Sequence, residues 1–241
     1  MARRILAGMS DASLPSRAEW RPQRFGRSNV RKVIDPLIEP VWVGERVLVE
    51  IETVGPRAGD GPYVAILDET GEPIDAFPDV AAGLAAAARA TSLVLDGYLT
   101  DGVARGLEHG GLTGVPVPKA SDLTRQLLMG GGRRHEELAP PEKTVMADPS
   151  VPTTFVAVDL LMVDDQELLD VPLLERKRVL ESVLDENQFV RRGVYVRPPL
   201  DPWLISWRSI GFHSVAFKAA NGRYRPGLDN DGWAISRIPN R

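Results

Sequence analysis

From Arg46 to Glu52 the chain alternates, with Val47, Val49 and Ile51 on one parity and Arg46, Leu48, Glu50 and Glu52 on the other. A period of two marks a strand with one buried face, which commits the chain to a sheet and to something that covers it. Tyr63 to Leu67 reads as a second strand, and Asp68-Glu69-Thr70-Gly71 as a hairpin turn with Pro73 to Phe77 returning. Pro78 to Ala90 is alanine-rich and reads as a helix, followed by a short strand Ser92 to Leu95 that runs into Asp96-Gly97-Tyr98. Phe155 to Leu161 is a β-branched and apolar run that fits a buried strand. Pro172 to Leu184 carries apolar residues on one helical face, Gly193 to Val196 reads as a strand, and Pro202 to Ile210 as a short helix bearing Trp203 and Trp207. Two last strands, His213 to Ala219 and Trp233 to Ile238, flank the turn-rich Asn221 to Gly227. Short antiparallel strands among few helices make the fold class α+β.

Other stretches are punctuation or tails. Residues 100–118 read as loop, Ser121 to Met129 as a capped helix stopped by Gly130-Gly131-Gly132, and residues 130–152 as a mobile surface loop. Residues 1–34 carry eight cationic side chains against two acidic ones, so this arm is +6 within a chain of net charge −4. Such an arm reads as partly disordered and suited to DNA phosphates. The acidic remainder argues against a protein that coats nucleic acid by bulk charge. No apolar run reaches the length of a membrane span, and the N-terminus lacks a secretory signal. With no cysteine, disulfides and thiolate metal sites are excluded, and the expected localisation is cytoplasmic.

Several stretches carry chemistry only when taken together. Glu39-Pro40-Val41-Trp42-Val43-Gly44-Glu45-Arg46 resembles the Glu-Pro-Lys-Trp-Asp-Gly-x-Arg motif of ATP-dependent DNA ligases, with valines at the lysine and aspartate positions. Ser92 to Tyr98 resembles a strand ending Leu-Asp-Gly-Glu, and Phe155 to Leu161 a Phe-x-x-Phe-Asp-Leu-Leu strand. Pro172-Leu173 with Arg176 fits Pro-Leu-x-x-Arg. Gly211 to Lys218 resembles Gly-x-Glu-Gly-Val-Val-x-Lys, Tyr224 to Gly227 resembles Tyr-x-Pro-Gly, and Trp233 to Arg237 resembles Trp-x-Lys-x-Lys. The ordered set covers roughly residues 35 to 239.

The resemblance implies a nucleotidyltransferase fold like the DNA ligase adenylation domain over 35–241, its antiparallel sheets flanked by helices around a nucleotide groove. In that family the lysine attacks the α-phosphate of ATP, and Val41 has no lone pair with which to do so. Tyr98 and His213 stand where glutamates are expected, and neither is a natural magnesium ligand, so no metal site is expected. Ile235 and Arg237 replace two lysines. The nucleotide-binding candidates are Arg46, Lys218 and Arg237 for phosphate, Tyr98 for ribose and Phe155 for the base. Pairing of the cations with Asp96, Asp159 or surface carboxylates is the alternative. Lys32, Lys119, Lys143 and Lys177 fall outside the matched positions. His213 reads as a partly buried, hydrogen-bonded residue, and Trp203 and Trp207 as core. The chain also ends where ligases place an oligonucleotide-binding-fold domain, which is not expected here.

These readings converge on a catalytically degenerate relative, a non-catalytic nucleotide-binding or accessory module in DNA repair. ATP or AMP would be held non-covalently, DNA through the arm, and a repair protein as partner. The alternatives are a transferase completed by a partner chain or another nucleophile, and an interaction scaffold with an empty groove.

Overall fold

The computed structural model describes residues 17–100 and 153–239. The expected helix 121–129, loop 130–152, and the residues His109, His135, Lys119 and Lys143 lie outside them, as do residues 101–118 of the loop expected at 100–118, whose first residue, Thr100, instead ends a strand.

A six-stranded sheet and a three-stranded sheet account for most of the described strands. The larger joins β3 (Glu45–Glu52), β4 (Tyr63–Leu67), β5 (Ser92–Thr100), β6 (Thr154–Val163), β7 (Gln166–Glu167) and β8 (Val190–Arg192). Its order is β4-β3-β5-β6-β7, with β8 parallel to β6 and the other pairs antiparallel. The smaller joins β2 (Pro36–Pro40), β9 (Ser214–Ala219) and β11 (Trp233–Arg237) in the order β11-β9-β2, all antiparallel. The two-residue strands β1 (Arg24–Phe25) and β10 (Asp229–Asn230) pair in parallel.

The odd residues Val47, Val49 and Ile51 of β3 lie in one core with Leu93, Leu95, Leu99, Phe155, Ala157 and Leu160. The helices α1 (Pro78–Ala87) and α2 (Leu173–Val183) cover that face through Val80, Leu84 and Leu180. A third helix, α3 (Asp201–Ser209), packs Leu204 and Trp207 with Ile38, Phe217 and Ala234 of the smaller sheet.

Several boundaries differ from the sequence reading. β5 runs on through Asp96-Gly97-Tyr98 to Thr100, because Gly97 lets the Phe155 ring cross the strand; a Cβ there would lie 2.4 Å from that ring. The strand expected at Gly193–Val196 forms earlier, as β8, because Val190 rather than Val194 reaches the core. Gly193 ends the ladder by donating to Ala157 O, and Val196 makes an isolated bridge with Ile38. Pro73 to Phe77 returns as a single bridge, Leu67 to Pro73, and not a strand. Within the basic arm, residues 17–34 lie on the domain, with Trp20, Gln23 and Val33 buried.

Strand β2 has no period-two signal because two of its five residues are proline. It sits at the sheet edge, where Ile38 N–H points away from β9 to Val196 O while Val41 N–H points inward to Ser214 O. Pro36 and Pro40 share the parity of Ile38, so their missing donors fall on the outer side.

Candidate functional site

Register assembles each half of the site within its own sheet. In the smaller sheet, Leu37 pairs Lys218, which pairs Trp233, and Glu39 pairs Ala216, which pairs Ile235. Side chains directly opposite share a face, so Leu37, Glu39, Lys218, Ala216, Trp233, Ile235 and Arg237 lie together, and Val41 continues that face beyond Glu39. In the larger sheet, Arg46 pairs Tyr98, which pairs Val156, and Leu48 pairs Asp96, which pairs Asp159. The two faces meet where the Arg46 guanidinium carbon sits 5.7 Å from the Trp233 ring centroid and 5.8 Å from that of Tyr98.

The layer between the sheets is ionic. Arg46 donates through Nε and Nη2 to the two Asp96 oxygens at 3.0 and 2.6 Å, and through Nη1 to Gln23 O at 2.5 Å. Asp96 also accepts from Tyr224 Oη at 2.8 Å, and Tyr224 Oη accepts from Gln23 N–H. Arg176, on α2, grips Asp159 in the same two-pronged way at 2.8 and 2.7 Å, with both side chains fully buried. Burial would raise the Asp159 carboxyl, but Arg176 outweighs it and holds the group below the usual carboxylate range.

Glu39 serves two lysines. Lys218 Nζ donates to Oε2 at 2.8 Å, and Lys177 Nζ lies 2.6 Å from Oε1. The second approach is a charge contact without good alignment, and neither Lys177 Nζ nor Glu39 Oε1 has a well-aligned hydrogen-bond partner. Burial opposes ionisation of Glu39, and Lys177 with Lys218 overcomes it, so its pKa is lowered. For Lys177, burial opposed by Glu39 and reinforced by Lys218 holds the amine below the ordinary lysine range. Lys218 also lies over the Trp233 ring, 4.3 Å from its centroid.

Five nucleotide-binding candidates therefore have known places. Arg46, Tyr98 and Lys218 stand between the sheets, but Arg46 and Lys218 are engaged by carboxylates. Phe155 has the opposite parity to Val156 and packs in the helix-covered core, on the far side of the sheet from the groove, so it is not placed to stack a base there. Arg237 is exposed at the end of β11. The side chain at 41 is a 7 % exposed valine.

Two further expectations are corrected. His213 is exposed, because it precedes β9 and only its backbone position is fixed, its carbonyl accepting from Ile238 N–H. Trp207 is core, whereas Trp203 is 37 % exposed, its ring tilted against that of Trp207. Among the described residues no three of His, Cys, Asp and Glu gather as a metal site. Asp96 and Asp159, on the groove face of the larger sheet, are each held by an arginine.

Lys177 and Gln23 are the site members that the motif reading leaves out, whereas Tyr224 belongs to the Tyr-x-Pro-Gly match. Lys177 had a signal. It follows Leu173 by four residues and precedes Leu180 by three, which puts it on the buried face of α2. Several retained motif residues have structural work: Gly44 adopts φ +147°, and a Cβ there would meet Leu99 O at 2.0 Å.

No protein-family model and no curated protein sequence matches the chain. Solved structures do match. The ligase domain of LigD from M. tuberculosis superimposes with a TM-score of 0.58 at 19 % identity, over 91 % of this chain and 60 % of that one. A mycobacterial DNA ligase D complexed with ATP and MES gives 0.57 at 20 %, over 92 % and 62 %. The structure titled Pmar-Lig_Pre gives 0.52 at 17 %, over 91 % and 46 %. The chain thus spans about three fifths or less of these structures. The likeness is one of fold, that of the DNA ligase nucleotidyltransferase domain.

Proposed function

We propose that the chain is a catalytically degenerate, ligase-like adenylation domain, acting in the cytoplasm as a nucleotide-binding or accessory module in DNA repair and not sealing nicks itself. One observation carries this reading: Val41 stands on the groove face of the smaller sheet, on the same side of the strand as Glu39, where the family's motif has its lysine. An isopropyl group cannot attack phosphorus. The fold around it is intact, with Gly44, Gly97, Asp96 and Asp159 all in use.

That a structure of the same fold was solved with ATP supports the groove as a nucleotide's place. Arg237 is exposed at its mouth, and arginine suits phosphate. Arg46 and Lys218 would have to give up carboxylate partners first, which favours weak, non-covalent occupancy by ATP or AMP.

Titration calorimetry with ATP, AMP, GTP and NAD, with and without magnesium, tests this, and saturable heat is the expected result. Val41→Lys should then form a nucleotidyl adduct mapped to position 41. If no nucleotide binds either chain, the groove is not a nucleotide site and an interaction scaffold with a repair-protein partner becomes the better reading. The DNA role of the arm is tested by deleting residues 1–16 only, since Trp20, Gln23 and Val33 are buried. Weaker, less salt-dependent DNA binding is expected, and unchanged affinity would remove the arm from the account.

A further inference from the structure

Residues 20–26 lie in the groove itself. Trp20, 2 % exposed, packs with Leu48, Val94 and Leu161 of the larger sheet and with Tyr224 and Trp233. The Phe25 ring sits 5.5 Å from that of Trp233, on the smaller sheet. The segment nevertheless joins neither sheet, since β1 pairs with β10 in a two-stranded ladder of its own.

At Gln23 the backbone is held by side chains. Arg46 Nη1 donates to Gln23 O at 2.5 Å, and Gln23 N–H donates to Tyr224 Oη at 2.8 Å. Arg46 commits Nε and Nη2 to Asp96, so Nη1 is the part of this guanidinium that the segment takes up. A ligand that approaches Nη1 from the groove competes with Gln23 O.

Two features make this occupancy reversible. The ties that flank Gln23 are few and peripheral: Gly227 N–H donates to Arg21 O, Arg24 N–H to Leu228 O and Gly26 N–H to Asn230 O. The ion pair Arg24–Asp229 beside them is exposed on both sides and contributes little. Segments tied in this way are the ones that open locally first. Closure is also imperfect, because Gln23 Nε2 and Trp233 Nε1 are buried with no hydrogen-bond partner among the described residues. The closed state thus forgoes bonds that water would supply in the open one.

We propose that residues 20–26 are an intrachain plug, which fills the groove when closed and, when lifted, uncovers Arg46 Nη1, the Tyr224 hydroxyl and the Trp233 ring for a nucleotide. The proposal rests on the nucleotide-binding reading above and adds a gate to it. The uncovered groups suit such a ligand: a cationic N–H for a phosphate or sugar oxygen, a hydroxyl, and an aromatic face for a base. Since the plug must lift first, apparent affinity falls as the closed fraction rises.

The chain has no cysteine, so Arg24→Cys with Asp229→Cys introduces the only two thiols, at register partners across β1 and β10. Oxidation, followed by intact mass, pins the plug, and reduction frees it. In ATP calorimetry the reduced pair should match the unaltered chain, and the oxidised pair should bind more weakly by about tenfold or more. Trp20→Ala, which removes the anchor, should bind ATP more tightly than the unaltered chain. Equal affinity in the oxidised and reduced forms overturns the plug and leaves the nucleotide-binding reading standing. Absence of ATP binding in every form, Trp20→Ala included, overturns both. Should the disulfide not close or Trp20→Ala not fold, hydrogen exchange of the unaltered chain decides. Peptides spanning 20–26 should exchange faster with ATP than without it, and unchanged or slower exchange overturns the plug.

Discussion

The two faces of the six-stranded sheet are held by different physics. Under α1 and α2 the contact is apolar, with Val47, Val49, Ile51, Leu93, Leu95 and Phe155 packed against Val80, Leu84 and Leu180. Toward the smaller sheet, Asp96 and Asp159 come from the same strands β5 and β6 but meet Arg46 and Arg176. Apolar contacts tolerate loss gradually, whereas a buried ion pair fails when either member is removed. The contrast teaches that one sheet can be fixed by apolar packing on one face and by paired charges on the other, Arg46 with Asp96 inside the sheet and Arg176 of α2 with Asp159.

The sharpest way to break the comparison is Asp159→Ala, which strands a fully buried Arg176. Denaturant unfolding should show a loss of about 3–5 kcal/mol, and replacing both residues with apolar ones should recover most of it. Leu95→Ala, on the opposite face of the same sheet, should cost about 2–4 kcal/mol through a cavity and leave salt dependence unchanged. If Leu95→Ala proved far more damaging than Asp159→Ala, the buried ion pairs would not be what holds that face of the sheet.

Proton linkage sharpens the same contrast. Glu39 and Asp159 have lowered folded pKa values, so their contribution is fully present above the unfolded carboxylate range of about 4 and is lost as pH falls through the folded values. Acid unfolding should therefore begin in the ionic layer, seen as early exposure of Trp233 fluorescence, which lies beside Lys218. Lys177 acts with the other sign: its folded pKa is lowered, so between that value and the ordinary lysine range the unfolded chain holds more protons and stability rises with pH. Tyr98 and Tyr224, whose pKa values are raised, oppose this above about pH 10. The smallest effect belongs to Lys177→Met. It should change stability by about 1 kcal/mol or less and flatten that alkaline rise, because three cations then face three carboxylates. An unaltered alkaline slope would mean that Lys177 is not the group responsible.

β3 was legible because Val47, Val49 and Ile51 alternate with Leu48, Glu50 and Glu52, and β4 and β9 because they are short, mostly apolar runs. β2 was not, since its two prolines obey an edge position that only the assembled sheet defines. Motif matching picked out Arg46, Asp96, Tyr98 and Lys218, of which register places the first three on one face of the larger sheet and Lys218 in the smaller one. It misjudged Phe155, whose face depends on parity relative to Tyr98 across β5 and β6, where the register shifts twice. Lys177 was overlooked for a different reason: a lysine on the apolar side of a helix reads as an exception until the facing carboxylate, Glu39, 138 positions earlier, is known.

The edge strand β2 has a consequence for how copies of this chain meet. An exposed sheet edge invites another strand to dock and propagate into an aggregate. Along this rim the donors at Pro36 and Pro40 are missing, and the one between them, at Ile38, is already taken by Val196. A second copy approaching that rim would find acceptors without donors at Pro36 and Pro40, so these two prolines also act as a guard against fibril-like stacking.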